Sequence, residues 1–373
     1  MSADDVQGLL ARAQALSPAL ADRLVAWQRQ EGRHHLPWQQ TRDPYRVWLS
    51  EIMLQQTQVS TVLGYYDRFL RAFPDVQALA TASLDEVLAL WAGLGYYSRA
   101  RNLHRCAQVV VSDHGGLFPG NAQALAQLPG IGRSTAAAIA GFCFDERTAI
   151  LDGNVKRVLT RALAWGGNLS VAAHERALWE AAELVLPQRA ADMPAYTQGV
   201  MDLGATVCSQ RKPSCLVCPW SDLCEARQQG RPEAFPVKTR KLKRSKRESW
   251  WLWLEHDEHV WLIQRPDTGV WAGLWTLPLL DTELAALALT QALGEGDPEP
   301  QPPIDHVLTH LDWRLHPQRL VLARPARPAV MGTLAGPAVG GDAAGTGRWV
   351  ALDQLHSVGL PAPLKKLLPV HRP

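Results

Sequence analysis

The chain has 373 residues, more than one ordinary domain, and a net charge of only +2, so a polyanion partner has to be argued from local clusters rather than from bulk charge. No apolar run approaches the roughly 18 residues of a membrane span, and the opening MSADDVQGLLARAQ lacks the basic start and apolar centre of a secretion signal. This excludes a membrane role and points to an intracellular, reducing setting, in which six cysteines fit a metal site better than disulfides.

Residues 20–231 read as nearly all helix. Asp43 is a ready N-cap, and Pro44 suits the first helical position, where its missing N–H costs nothing. Tyr45, Trp48, Leu49, Ile52 and Met53 then follow the spacing of a buried face. Glu51 lies beside that stripe, where partial burial would raise its pKa toward the range of a general acid. An isolated glutamate on a helix edge is more often simply solvated. The amides that follow, Gln55-Gln56-Thr57-Gln58, favour the chemical reading, because amides can read base edges or fill a gap in a base stack.

Val59, Val62, Leu63, Tyr66, Phe69 and Leu70 mark a second amphipathic helix. Ser83-Leu84-Asp85-Glu86 is a capping box opening a third. In Gly93-Leu94-Gly95-Tyr96-Tyr97-Ser98-Arg99-Ala100-Arg101, a glycine turn sets two tyrosines beside two arginines. That grouping suits base stacking and phosphate contact, and it suits a packed core equally well. Residues 121–142 read as helix, tight hairpin and helix around Pro129-Gly130-Ile131-Gly132. Glycines there allow close backbone approach, and the free N–H groups of the second helix suit a phosphate.

Asp152, in Leu151-Asp152-Gly153-Asn154-Val155-Lys156-Arg157, would alone be read as an N-cap. Beside a phosphate-binding hairpin and with Glu51 as a second carboxylate, the pair suggests glycosidic chemistry. Lys156 and Arg157 add charge for a nucleic-acid backbone. Cys208, Cys215, Cys218 and Cys224 form C-x6-C-x2-C-x5-C, a loop suited to a metal centre. Structural zinc usually shows two close cysteine pairs and here there is one, which favours a [4Fe–4S] cluster over zinc. Cys106 and Cys143 read as inert core thiols.

The run 232–249, with Lys238, Arg240, Lys241, Lys243, Arg244, Lys246 and Arg247, reads as a solvated basic linker, of a sign that would also suit a tether between DNA-gripping domains. From residue 250 the period becomes strand-like, in Trp250-Trp251-Leu252-Trp253-Leu254 and Val260-Trp261-Leu262-Ile263. A helix near 282–293, a strand end at 307–313, a Pro/Gly/Ala-rich loop at 324–347 and a closing strand and helix make a second, α+β domain.

Together the segments SEIMLQQTQV, LWAGLGYYSRARNL, LPGIGRSTA, LDGNVKRVL, the cysteine loop and GVWAGLWTLP resemble adenine DNA glycosylases of the MutY type, in the helix-hairpin-helix superfamily. The resemblance spans nearly the whole chain. It implies a helical glycosylase domain over 1–231 (hairpin at 121–142, iron–sulfur loop at 208–224), the linker 232–249 and a Nudix-like domain over 250–373. It further implies a cytoplasmic, monomeric bacterial repair enzyme that acts on double-stranded DNA, removes adenine paired with 8-oxoguanine or guanine, and carries a [4Fe–4S] cluster on the four cysteines.

By the same resemblance Glu51 is the acid that protonates adenine. Asp152 stabilises the oxocarbenium-like sugar, directly or through a covalent adduct. Asn154 lies near the sugar and leaving group, and Gln55 and Gln56 contact the damaged pair. Tyr96 is wedged into the stack at the excision site, and Pro129, Gly130, Gly132, Ser134 and Lys156 meet the DNA. The related endonuclease III carries a nucleophilic lysine in the hairpin; this chain has Ser134, which cannot form an imine, so a monofunctional glycosylase is expected. Leu308-Thr309-His310 stands where the family carries a Phe-Ser-His-type loop for 8-oxoguanine. The C-terminal helix offers only Glu283, with Glu295 beyond it, too few ligands for Nudix metal chemistry. The rival readings are a bifunctional lyase for oxidised pyrimidines, an iron–sulfur DNA-binding protein without catalysis, and a Nudix hydrolase.

Overall fold

A computed structural model describes residues 3–237, 243–293, 297–324 and 347–368. Lys238, Arg240 and Lys241 of the basic run, Glu295, and residues 325–346 of the Pro/Gly/Ala-rich stretch lie outside the described residues. The chain divides into two units. One comprises Met1–Tyr66, Asp75–Ala80 and Arg105–Lys241, the other Asp67–Pro74, Thr81–His104 and Leu242–Pro373.

The helical elements in chain order are α1 (Ala3–Glu31), α2 (Pro44–Leu54), α3 (Val59–Ala72), α4 (Val76–Thr81), α5 (Leu84–Trp91), α6 (Ser98–His114), α7 (Ala122–Leu125), α8 (Arg133–Cys143), α9 (Gly153–Ala162), α10 (Ala172–Leu184), α11 (Met193–Asp202) and α12 (Glu225–Gln228). Their ends follow local chemistry. Asp43 accepts from the Tyr45 N–H at 3.0 Å and starts α2 with Pro44 at its first position. Ser83 and Glu86 cap α5 reciprocally. Asn121 caps α7 at the Ala124 N–H, 2.8 Å, and that helix stops after one turn, at Leu125. Pro129 disfavours helical backbone just before it, and the chain turns there into the hairpin. In the first unit α1 packs on α10 and α11, and α2 on α8. Leu20, Leu24, Val158, Leu159, Leu178 and Leu203 share one buried core, the arrangement expected when amphipathic helices bury their apolar stripes on one another.

The second unit holds α5 and a sheet with, among the described residues, eight strands: β1 (Ser245–His256), β2 (His259–Gln264), β3 (Trp275–Thr276), β4 (Leu279–Leu280), β5 (Glu299–Pro300), β6 (Ile304–Val307), β7 (Leu311–Val321) and β8 (Gly347–Ala351), with helices α13 (Glu283–Leu293) and α14 (Ala362–Leu367). The order is β3-β2-β1-β7-β5. β1 and β7 run parallel from Ser245↔Leu311 to Glu255↔Val321, so strand pairing takes up Ser245–Ser249, residues that charge alone assigns to a linker. Asp257 and Glu258 turn β1 into β2 with φ of 45° and 57°, the backbone of a two-residue hairpin turn. Trp271 stacks between Trp251 and Trp313, with centroids at 5.6 and 4.6 Å, and these rings supply much of the buried area. Residues 308–310 form the turn of the β6–β7 hairpin rather than a strand end. Among the described residues no helix is long and apolar enough to cross a membrane.

Candidate active site

Glu51 sits on α2 among buried apolar neighbours, with Ile52 and Met53 beside it. Its carboxyl is raised to about 8, first by burial and then by the negative charge of Asp152. Both effects disfavour the ionised form, so at neutral pH Glu51 is a protonated acid. Asp152 is exposed and caps α9, where its Oδ1 accepts from the Val155 N–H at 2.7 Å. The first turn of a helix favours a negative charge. The two carboxyls thus stand in unlike surroundings, one raised by burial and one exposed at a helix start, the kind of difference that separates an acid from a charge stabiliser.

Asn154 follows on the first turn of α9. Its Oδ1 accepts from Arg157 Nη2 at 2.9 Å, and the same nitrogen donates to the Gly204 carbonyl at 2.7 Å. Glycine is required at 204, since a Cβ there would stand 2.8 Å from the Asn154 Cβ. Lys156 pairs with Glu175. Ser134, on α8, accepts from the Leu151 N–H at 3.0 Å, which ties the hairpin to the residue just before Asp152. Gly132 begins α8 without a side-chain cap, and Gly130 takes a φ of 77°, a conformation that suits glycine.

Gln55, at the end of α2, lies with its amide 3.4 Å from Thr135 Oγ1, and the exposed Gln56 is held at a φ of 58°. Left-handed backbone on a non-glycine residue is uncommon and costs energy. Tyr96 shares the feature, with a φ of 49°, and is 44% exposed. Tyr96, Thr309 and His310 belong to the second unit, where the Tyr96 and Thr309 hydroxyls hydrogen-bond at 3.1 Å. The guanidinium of Arg99 lies over the Tyr96 ring at 5.4 Å. His310 is exposed, and its carbonyl accepts from the Ser245 N–H at 3.0 Å.

Glu51 borders a cavity of about 280 Å³, lined also by Arg33, Trp38, Gln39, Phe142 and Gln198. That is near the lower end of the range for small-ligand sites, roughly 300–1,000 Å³. Sequence reading missed these lining residues. Gln198 and Asp202, one turn apart on an otherwise largely apolar α11, were the signal available. The four cysteines 208, 215, 218 and 224 line a second, small pocket with Arg161 and Trp220. Arg161, 2% exposed, donates to Cys208 Sγ at 3.4 Å and to the carbonyls of Ser209, Gln210 and Phe235 at 2.6, 2.9 and 3.1 Å. Among the described residues no three His, Cys, Asp or Glu side chains gather as tightly as a single metal ion needs. Cys106 is buried, Cys143 partly so, and burial pushes both thiols up to about 12.

A family model for the HhH-GPD superfamily base excision DNA repair proteins matches residues 49–184, and one for the NUDIX domain matches 249–369. The chain is 31% identical over 352 residues to the adenine DNA glycosylase of Buchnera aphidicola subsp. Schizaphis graminum, covering 94% of this chain and 97% of that one. It is 38% identical to the adenine DNA glycosylase of Buchnera aphidicola subsp. Acyrthosiphon pisum over 264 residues, 71% and 75% of the two chains. Against the adenine DNA glycosylase of Homo sapiens it is 35% identical over 418 positions, 95% of this chain and 74% of the relative.

Proposed function

The chain belongs to the adenine DNA glycosylase family of helix-hairpin-helix base-excision repair enzymes, and from that premise we propose that it hydrolyses the N-glycosidic bond of adenine opposite 8-oxoguanine or guanine, with Glu51 as acid and Asp152 as charge stabiliser. The observation that carries this reading is the Glu51 carboxyl, held up to about 8 at the edge of the cavity with Asp152 as its charged neighbour.

A base inside a duplex cannot reach such a site, so the adenine is turned out of the stack into the cavity. Protonated Glu51 gives its proton to a ring nitrogen of adenine. The C1′–N9 bond then breaks, and its electron pair leaves with the neutral base. The positive charge that develops on the sugar is balanced by Asp152. Water adds to C1′ and releases a proton, completing the hydrolysis. Asn154, its carbonyl oxygen held by Arg157, keeps its NH2 for the sugar. Gln198, Trp38 and Gln39 surround the base.

Excision without strand cleavage follows from two features. Ser134 carries no amine, and its hydroxyl is engaged by the Leu151 N–H. Lys156 is paired with Glu175, which engages the nitrogen that an imine would need. The hairpin at Pro129, Gly130 and Gly132 and the open first turn of α8 meet the DNA backbone, Gln55, Gln56 and Tyr96 meet the mispair, and Thr309 with His310 meets the oxidised guanine. α13 carries one carboxylate, Glu283, too few for a hydrolytic Mg²⁺ site, which supports recognition rather than catalysis by the C-terminal domain. The enzyme works as a monomer in the bacterial cytoplasm.

Cys208, Cys215, Cys218 and Cys224 would hold a [4Fe–4S] cluster. Their spread around a shared pocket suits a cluster in which each thiolate binds a different iron, better than one tetrahedral ion with every thiolate at about 2.3 Å. Bound there, the cluster would supply a rigid four-point cross-link of the 208–224 loop.

A labelled duplex with one adenine opposite 8-oxoguanine tests the reading when each reaction is divided and half is treated with alkali. Breakage only after alkali is expected. Breakage without alkali would give the protein a lyase nucleophile, and intact strands in both halves would remove the proposed activity.

A further inference from the structure

One polar group on the Glu51 cavity is fixed from behind. Gln198 lines that cavity, and its Nε2 donates to Asp202 Oδ1 at 2.8 Å. Asp202 is 1% exposed and accepts three further contacts from one residue: the Arg33 N–H at 2.9 Å on Oδ2, and Arg33 Nε and Nη2, both at 2.7 Å, on Oδ1. An ionised carboxylate only accepts and a guanidinium only donates. Beside Asp202 the Gln198 amide must therefore present its NH2, so the chemistry of the partner decides an orientation that is otherwise ambiguous between O and N. The carbonyl oxygen of Gln198 is then the amide atom left for the cavity, and it is purely an acceptor.

We propose that Asp202, clamped by Arg33, is a positioning residue that locks the Gln198 amide and thereby makes the cavity select a base bearing an exocyclic amine over one bearing a carbonyl at the same position. Adenine has a donor there and hypoxanthine an acceptor; the two bases are nearly identical in size. Against a locked Gln198 oxygen, hypoxanthine brings two acceptors together and leaves both unsatisfied in a partly desolvated site. A free amide would turn its NH2 outward and tolerate either base. The proposal rests on the reading of the cavity as the seat of the expelled adenine.

The test uses the full-length, iron-loaded protein and single-turnover excision from two duplexes, with adenine or hypoxanthine opposite 8-oxoguanine. In Asp202→Asn the new amide can offer its own NH2 to Gln198, so that the Gln198 amide can flip. The adenine-to-hypoxanthine rate ratio should fall at least tenfold relative to the unchanged protein, with adenine slowed and hypoxanthine not. Loss of both rates by the same factor would leave the ratio unchanged and overturn the proposal, because Asp202 would then matter only for packing. If Asp202→Asn does not fold, Arg33→Gln loosens the same clamp from the half-exposed side, and a fall of a few-fold in the ratio is expected. An unchanged ratio there would overturn the proposal equally. Failure of the unchanged protein to excise adenine would instead sink the reading of the cavity, so the two failures are distinguishable.

Discussion

At the residue scale the proposed chemistry turns on Glu51. Its pKa of about 8 predicts an excision rate that falls as pH rises through about 8, because only the protonated form can donate. The same shift carries a stability cost whose sign can be worked out. Between the ordinary carboxyl value of 4.5 and about 8 the folded state binds the proton that the unfolded chain has released, so stability falls as pH rises across that window. Glu51→Gln removes the cost. Thermal melting should show the variant more stable than the parent by roughly 1–3 kcal/mol at pH 8, with the gap closing toward pH 5, while excision disappears and duplex binding stays. A variant that still excises adenine would remove Glu51 as the acid. The type of this residue and its place beside an apolar stripe were legible in the sequence. The added push from Asp152, remote in the chain, was not.

At the scale of elements, the turn that carries Tyr96 shows how local strain and distant contacts combine. Gly95 and Tyr96 both take positive φ; the Trp91 indole N–H closes the turn on the Gly95 carbonyl at 3.1 Å, and Arg99 supports the tyrosine ring. Glycines forecast the turn, but nothing in its sequence forecast that the tyrosine hydroxyl would find Thr309, 213 residues away. A hydroxyl pair of this kind is worth about 1 kcal/mol. Thr309→Val should therefore weaken duplex binding at least about fivefold for adenine opposite 8-oxoguanine and less for adenine opposite guanine, and Thr309→Ser should restore both. A loss confined to the 8-oxoguanine duplex would mean that the hydroxyl serves only the oxidised base. The hairpin motif was read at the right place, though its first helix proved a single turn.

For the whole molecule, the cysteine loop is held by a buried arginine whose partners among the described residues are carbonyls and a thiol sulfur. A buried cation without a carboxylate partner is costly unless nearby negative charge offsets it, and cluster-bound thiolates would supply that charge. Removal of iron should accordingly lower the melting temperature by several degrees and weaken duplex binding, read by calorimetry and gel shift on the same preparation before and after chelation. Unchanged melting and binding would argue against a structural cluster. The two-part composition was plain in the sequence, since a 3.6-residue apolar period gives way to alternation near residue 250 and each period dictates its own element type. The same reading placed the cap at Asp43, the capping box at Ser83, the N-cap at Asp152 and the four-cysteine loop, each set by residues within a turn or two of one another. Tertiary structure alone decided the Glu51 cavity with Arg33, Trp38 and Gln198, the clamp on Asp202, the extension of β1 into the basic run, and the pairing of Tyr96 with Thr309. Burial, shared cavities and hydrogen bonds between distant residues depend on which segments the fold brings side by side, and no local pattern encodes that.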